Sequence, residues 1–172
     1  IRTRWREVAD ASWVGLNYAD KRVRDFYANV LREGVEEYDY EGLEMDWLRH
    51  PVCMEAPARD AQIRTMTDWI GGIREMTKRV RADYVMGLRI PADLDYLLSI
   101  GIDVAELVRR GLVDFVSFSN FWQCGWDIPL DDLRRRLGDN VTIVGCIEDA
   151  PNWLEAVAPA LTERQWYQEA QL

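Results

Sequence analysis

Short apolar runs alternate with longer amphipathic stretches along the chain, and this order limits the possible folds more than any other feature. Five runs have the length and composition of strands: residues 13–17, 43–47, 84–90, 113–119 and 141–147. Apolar residues spaced by three and four predict helices over residues 20–38, 60–81, 93–99, 104–110, 130–137 and from Thr162 onward. Because parallel strands require crossover connections, this order predicts a parallel sheet covered by helices.

The length of the repeating unit selects a fold within this class. Five β/α units fill the 172 residues, and eight such units would make a TIM barrel of about 250 residues or more. No G-x-G-x-x-G or Walker sequence follows a predicted strand, which disfavours a nucleotide-binding doubly wound sheet. We therefore expect residues 1–172 to form one α/β domain, an incomplete (β/α)8 TIM barrel with about five β/α units. Since the chain does not begin with Met, we expect a fragment and predict no localisation.

Composition argues against several classes of function. A formal net charge of −9 disfavours nucleic acid or an anionic membrane as the partner. No window of about 18 apolar residues occurs, so no transmembrane helix is predicted. Three cysteines cannot all pair in disulfides, and a single histidine argues against a zinc site of the usual spacing. We predict no cofactor and no metal ion, and leave the oligomeric state open.

The strand predicted at residues 43–47 carries the first candidate for chemistry. Successive side chains of a strand point to opposite faces, so Glu44 and Asp46 share one face while the apolar residues face the other. Carboxylates rarely occupy a strand face in a protein interior unless they are paired, bound or used. In a β/α barrel, Asp46 would lie at the C-terminal end of its strand, where such barrels carry their chemistry. Asp46 is therefore the first candidate catalytic residue.

Polar residues also end the other predicted strands. They are Asn17 and Tyr18 at the first strand, Arg89 at the third, Ser119 and Asn120 at the fourth, and Glu148 at the fifth. Two carboxyl groups across one barrel mouth are what glycoside hydrolysis requires, one as acid and one as nucleophile or base. We predict Asp46 and Glu148 as this catalytic pair, and either residue could take either role.

Further residues near the strand ends are candidates for binding a sugar. Aromatic rings suit the apolar faces of sugars, and charged or amide groups suit their hydroxyls. The predicted substrate-binding set is Glu44, Trp47, Arg49, His50, Arg89, Asn120, Trp122, Asn17 and Tyr18. Structural roles stay open beside these. Asp46 could simply be neutralised by Arg49 or Arg89. Glu148 could lie in a loop or at a helix N-terminus, and His50 could make only a local hydrogen bond.

Several segments resemble one known family. Residues 16–26 resemble the pattern N/D-Y-x-x-x-x-V-R-D-Y/F, and residues 38–49 resemble Y-D-V-D-G-I-E-L-D-F/W-x-R. Both patterns are typical of bacterial glycosyl-hydrolase-like TIM-barrel proteins. Residues 101–114 also resemble the G-L-D-V and G-L-V-D stretches of that group. The resemblance implies a carbohydrate-active barrel of which this chain supplies strands three to seven, with Asp46 ending strand four and Glu148 ending strand seven.

The resemblance does not extend to two better-defined mechanisms. A chitinase pattern would place its acid at Leu48, and an α-amylase pattern would have arginine where Glu44 stands. From the placement of Asp46 and Glu148 and the aromatic residues near the strand ends, we predict a glycoside hydrolase. It would cleave O-glycosidic bonds of a poly- or oligosaccharide, with carbohydrate as its partner. Two alternatives stay open: a non-catalytic carbohydrate-binding barrel, and a metal-assisted hydrolase with Glu44, Asp46 and Glu148 as oxygen ligands.

Overall fold

The fold is described by a computed structural model for residues 16–48, 51–52, 54, 58–119 and 128–147. Helices and strands follow one another in the order α1 (Lys21–Glu37), β1 (Gly42–Asp46), α2 (Asp60–Val80), β2 (Val85–Pro91), α3 (Leu94–Ser99), α4 (Val104–Arg109), β3 (Phe115–Ser119), α5 (Leu130–Leu137) and β4 (Thr142–Cys146). Each element agrees with its prediction in type and, within two residues, in position.

The four strands form one parallel sheet in the order β1–β2–β3–β4. This is an α/β fold, but the expected TIM barrel is wrong. The described residues form four strands and not five β/α units, and their sheet does not close. Leu16 makes only a single bridge, and most of the predicted first strand lies outside the described residues, as does the helix predicted from Thr162. The alternation of helices and strands could not predict whether the sheet closes into a barrel, because closure depends on the tilt and stagger of the strands.

The sequential strand order explains where the helices lie. Crossovers between parallel strands are right-handed in almost all proteins, so successive crossovers in one direction place their helices on the same side of the sheet. In agreement, the strand residues that alternate toward that side are buried: Met45, Met86, Leu88, Ile90, Val116 and Phe118. They form one core with apolar residues of α2, α4 and α5, such as Ile70, Leu107 and Leu133. Burial of each such side chain contributes about 1.5–3 kcal/mol to folding.

Local capping groups set the helix boundaries. Asp20 precedes α1, and its Oδ1 accepts a hydrogen bond from the backbone N–H of Arg22 at 2.8 Å. Gly138 follows α5 with a φ of 76°, a left-handed conformation that glycine adopts at low cost. Its N–H donates to the carbonyl of Arg134 at 2.8 Å and closes the last turn. These signals lie within a few residues of each boundary, which is why the sequence alone revealed them.

Candidate functional site

The sheet face opposite the helices carries polar side chains and is called the polar face here. Toward the C-terminal strand ends its residues are Glu44 and Asp46 on β1, Arg89 on β2, and Ser117 and Ser119 on β3. Residues in register on neighbouring parallel strands lie side by side, and residues two apart on one strand share a face. Because Asp46 pairs with Arg89 and Arg89 with Ser117, these three residues form one row across the sheet.

Asp46 is held by two neighbours at the end of β1. Nη1 of Arg89 donates to its Oδ2 at 3.2 Å, and the backbone N–H of Leu48 donates to its Oδ1 at 2.9 Å. Solvent reaches both members of the ion pair, since 51% of the Asp46 side chain and 37% of the Arg89 side chain are exposed. Exposed ion pairs contribute only about 0.2–1 kcal/mol to stability. The pair is therefore weakly stabilising and open to a ligand.

Glu44 reaches across β2 to a residue of β3. The hydroxyl of Ser117 donates to Oε1 of Glu44 at 2.6 Å. These strands are not neighbours, and their backbones are about 9–10 Å apart. The residue of β2 in register with Glu44 is Gly87, and Gly87 is in turn in register with Phe115. A Cβ atom at Gly87 would overlap the ring of Phe115. The absence of a side chain at Gly87 thus permits the position of the Phe115 ring on the polar face.

Ser119 lies two residues beyond Ser117 and is 1% exposed. Within the described residues, its Oγ is the one buried side-chain oxygen or nitrogen that has no hydrogen-bond partner. Its register partners are Pro91 on β2 and Cys146 on β4, which offer no hydrogen bond and a weak thiol respectively. Sequence reasoning placed Ser119 at a strand end but did not select it for binding, because a serine in that position carries no signal of its own burial.

Three other predicted binding residues make their contacts away from the polar face. Trp47 is 7% exposed and belongs to the core, with its ring edge-on to Trp69 at a centroid distance of 6.4 Å. Oδ1 of Asn17 accepts the backbone N–H two residues along the chain, in the turn before α1. Tyr18 stacks on Tyr27 of α1 with centroids 5.2 Å apart. Trp47 and Tyr18 thus make packing contacts, and Asn17 stabilises a turn. Because the Trp47 ring is buried, little of it is left to contact a sugar.

The remaining predicted site residues lie outside the described residues: Arg49, His50, Asn120, Trp122 and Glu148. The pairing of Asp46 with Glu148 across one pocket therefore stays a prediction. From the predicted set, the structure brings Glu44, Asp46 and Arg89 together on the polar face. It adds the two serines of β3, which alternate along the strand and so share a face. That alternation is the one sequence signal that could have revealed Ser117.

The described part of the chain contains neither a metal-binding cluster nor a membrane-spanning helix. No group of three or more His, Cys, Asp or Glu side chains within it could hold a metal ion. The metal-assisted hypothesis also requires Glu148, which lies outside this part, so it stays a hypothesis. Among the described helices, none combines the length and the apolar character needed to cross a membrane.

Comparison with known proteins identifies no family for the chain. Its sequence matches no protein-family model, and no curated protein is similar enough to count as a relative. The likeness to glycosyl-hydrolase-like barrel proteins therefore stays a resemblance, and function has to be inferred from the chemistry of the polar face.

Proposed function

We propose that the protein hydrolyses O-glycosidic bonds of a neutral poly- or oligosaccharide, with Asp46 as one of two reacting carboxyl groups. The observation that carries this proposal is the polar face. Asp46, paired with Arg89, and Glu44, bonded to Ser117, lie together toward the C-terminal ends of parallel strands. In α/β proteins with parallel strands, ligand sites are generally found at the carboxyl ends of the strands.

The reaction requires two carboxyl groups in different roles. One protonates the leaving oxygen, and the other attacks the anomeric carbon or activates a water molecule. We assign Asp46 the second role, because both of its oxygens act as hydrogen-bond acceptors. Glu148 is the predicted acid. Glu44 is the competing choice, because it shares the face of Asp46 and lies two residues away, a spacing of about 6.6 Å along a strand.

The charge of the polar face favours a neutral sugar. Its described part holds two carboxylates and one guanidinium, and the whole chain has a formal net charge of −9. Sulfated or uronic-acid polysaccharides would be repelled by this negative potential. The hydroxyls of a neutral sugar fit better, since they donate to the carboxylates of Glu44 and Asp46 and accept from Arg89.

A second candidate function is sugar binding without hydrolysis. The observation that favours it is that the carboxylates are already engaged. Both oxygens of Asp46 accept hydrogen bonds within the protein, and Oε1 of Glu44 accepts the hydroxyl of Ser117. Hydrogen bonds accepted by a carboxylate stabilise its charged form and make its oxygens less nucleophilic, which suits a binding group better than an attacking one. Formation of product separates the two candidates.

The test is release of reducing ends from neutral poly- and oligosaccharides by the full-length protein and by Asp46→Asn. Loss of a catalytic carboxylate is expected to lower kcat about 10²–10⁴-fold. Asp68→Asn is the matched control, since Asp68 also accepts a hydrogen bond from an arginine, Arg110, at 3.0 Å, but on the helices. Its turnover should equal that of the wild type. Equal turnover in Asp46→Asn would remove the assignment.

Two further variants identify the second carboxyl group. Glu44→Gln and Glu148→Gln each remove one candidate, and the one that matches the loss of Asp46→Asn is the partner. Saturable binding by the wild type without product, over long incubation, would instead support the binding function. Loss of hydrolysis on addition of a chelator, with recovery on adding a divalent metal, would support the metal-assisted mechanism.

A further inference from the structure

We infer that Ser119 determines the specificity of the polar face: its hydroxyl binds one hydroxyl group of the sugar beside Asp46 and Arg89, a conclusion that rests on the proposed carbohydrate function. The starting observation is the state of the serine itself. Ser119 is 1% exposed, and its Oγ has no hydrogen-bond partner within the described residues.

A buried hydroxyl without a partner is unfavourable and uncommon in folded proteins. The register partners of Ser119 do not supply the missing hydrogen bond. Pro91 has no side-chain polar atom, and Cys146 has only a thiol, which is a weak donor and acceptor. A ligand that supplies the missing hydrogen bond would therefore bind with an advantage at this position, because it pairs a group that the described residues leave unpaired.

Ser119 lies on the same face as the charged groups of the proposed site. Its neighbour Ser117 shows which face this is, since the Ser117 hydroxyl donates to Glu44 on the polar face. Residues two apart on a strand share a face, so the side chain of Ser119 belongs to it too. In register it lies one row beyond Asp46, Arg89 and Ser117, toward the C-terminal end of the sheet.

The kind of ligand follows from the size and chemistry of the position. A serine hydroxyl both donates and accepts, so its best partner is a group that does the same, and a sugar hydroxyl is such a group. Because Ser119 is only 1% exposed, its hydroxyl would contact one small substituent of a ligand and not the face of a sugar ring. Sites built to bond a substrate hydroxyl discriminate strongly against analogues that lack it.

The test uses Ser119→Ala in the full-length protein and a panel of neutral oligosaccharides with their monodeoxy analogues. Calorimetric titration should show about tenfold weaker binding by Ser119→Ala for the oligosaccharide that the wild type binds best. One deoxy analogue should bind the wild type and Ser119→Ala equally. Ser99→Ala is the control, because its hydroxyl bonds only the carbonyl of Tyr96 on α3, away from the polar face.

Thermal unfolding without ligand provides a second readout. Removing an unpartnered buried hydroxyl should leave Tm unchanged or raise it by about 2–4 °C. Ser117→Ala, from the same strand and face, removes a partnered hydroxyl and should lower Tm. A fall of Tm in Ser119→Ala as large as that in Ser117→Ala would show a structural partner for Ser119 and overturn the specificity role.

The binding outcomes separate the two proposals. Equal affinity of wild type and Ser119→Ala for every oligosaccharide overturns the role of Ser119 and leaves the carbohydrate function standing. Failure of the wild type to bind or hydrolyse any member of the panel overturns the carbohydrate function, and the role of Ser119 with it.

Discussion

The two ends of the sheet carry arginine–aspartate pairs of the same chemistry in different surroundings. At the N-terminal end, Arg74 of α2 donates two hydrogen bonds to Asp114, just before β3, at 2.6 and 2.7 Å. The side chain of Arg74 is only 11% exposed. At the C-terminal end, Arg89 makes one contact of 3.2 Å to Asp46, and solvent reaches both side chains. The Arg74–Asp114 pair is a clamp with a nearly buried arginine, and the Arg89–Asp46 pair lies open on the polar face.

Arg74 and Asp114 also make hydrogen bonds to backbone groups around them. Oδ2 of Asp114 also accepts the backbone N–H of Met86 at 2.8 Å, and Nη1 of Arg74 also donates to the carbonyl of Tyr84 at 3.0 Å. Burial alone raises the pKa of the Asp114 carboxyl, but the hydrogen bonds from Arg74 and Met86 hold that pKa below its ordinary value. The Arg74–Asp114 pair thus ties α2 to the sheet, whereas the Asp46–Arg89 pair leaves both charged groups accessible to solvent.

The largest effect on stability is expected for Asp114→Ala. The substitution leaves Arg74 nearly buried without its partner, so the free energy of unfolding should fall by about 2–3 kcal/mol. This is less than for a fully buried pair, because 38% of the Asp114 side chain is exposed. Urea denaturation measures it. Asp68→Ala breaks the exposed pair with Arg110 and should cost about 0.2–1 kcal/mol. Equal costs for the two variants would contradict the distinction.

Gly87→Ala should have the next largest effect on stability and tests the close contact between Gly87 and the Phe115 ring. The added methyl group overlaps the Phe115 ring, so the variant should lose about 1–3 kcal/mol of stability as the ring moves. Gly34→Ala is the control: it lies within α1 with open space around it and should gain about 0.5–1 kcal/mol. Adding Phe115→Leu to Gly87→Ala should restore part of the loss. Full stability of Gly87→Ala alone would show that the contact is easily relieved.

The pH dependence of stability tests the Arg74–Asp114 clamp through the charge of Asp114. Since the pKa of Asp114 is lowered in the folded state, the unfolded state binds protons more readily, and stability falls with decreasing pH. The contribution of Asp114 is fully present above the unfolded pKa of about 3.9 and is lost as the pH falls through the folded pKa. The cost of Asp114→Asn, measured by urea denaturation from pH 7 to pH 3, should therefore shrink toward acid. The cost of Gly87→Ala should stay constant with pH, because that substitution removes no charge. If the costs of both variants changed with pH in the same way, the lowered pKa of Asp114 would not be the cause.

Arg89→Gln should have the smallest effect on stability and a clear effect on function. Because the Asp46 pair is exposed, the variant should lose less than about 1 kcal/mol in urea denaturation. Its KM for an oligosaccharide should rise, since a donor to the substrate is removed. Arg74→Gln should show the reverse, a loss of stability with unchanged KM. A large stability loss in Arg89→Gln would erase the difference between the two ends of the sheet.

Secondary structure followed from the sequence because its signals are local. The apolar residues of α1 recur at helical spacing, Asp20 caps its start, and Gly138 ends α5, each within one or two turns of chain. The shared face of Glu44 and Asp46 followed from strand alternation alone. The closure of the sheet did not follow, because repeated β/α units are compatible with open and closed sheets alike.

The contacts between charged and polar groups depend on how the strands pair and could not be predicted from the sequence. The sequence left Arg49 and Arg89 as possible partners of Asp46, and the register of β1 with β2 places Arg89 beside it. The hydrogen bond between Ser117 and Glu44 spans 73 positions of sequence and joins strands that are not neighbours in the sheet. The Trp47 ring, a predicted sugar-binding group, lies in the hydrophobic core.

Hydrophobic spacing, capping and strand alternation act between residues close in the chain, so the order of the described helices and strands and the shared face of Glu44 and Asp46 could be predicted. Three features could not: within the described residues the sheet stays open, Asp46 meets Arg89, and the buried hydroxyl of Ser119 has no partner. These features depend on the register and packing of strands far apart in sequence, and no local pattern encodes them.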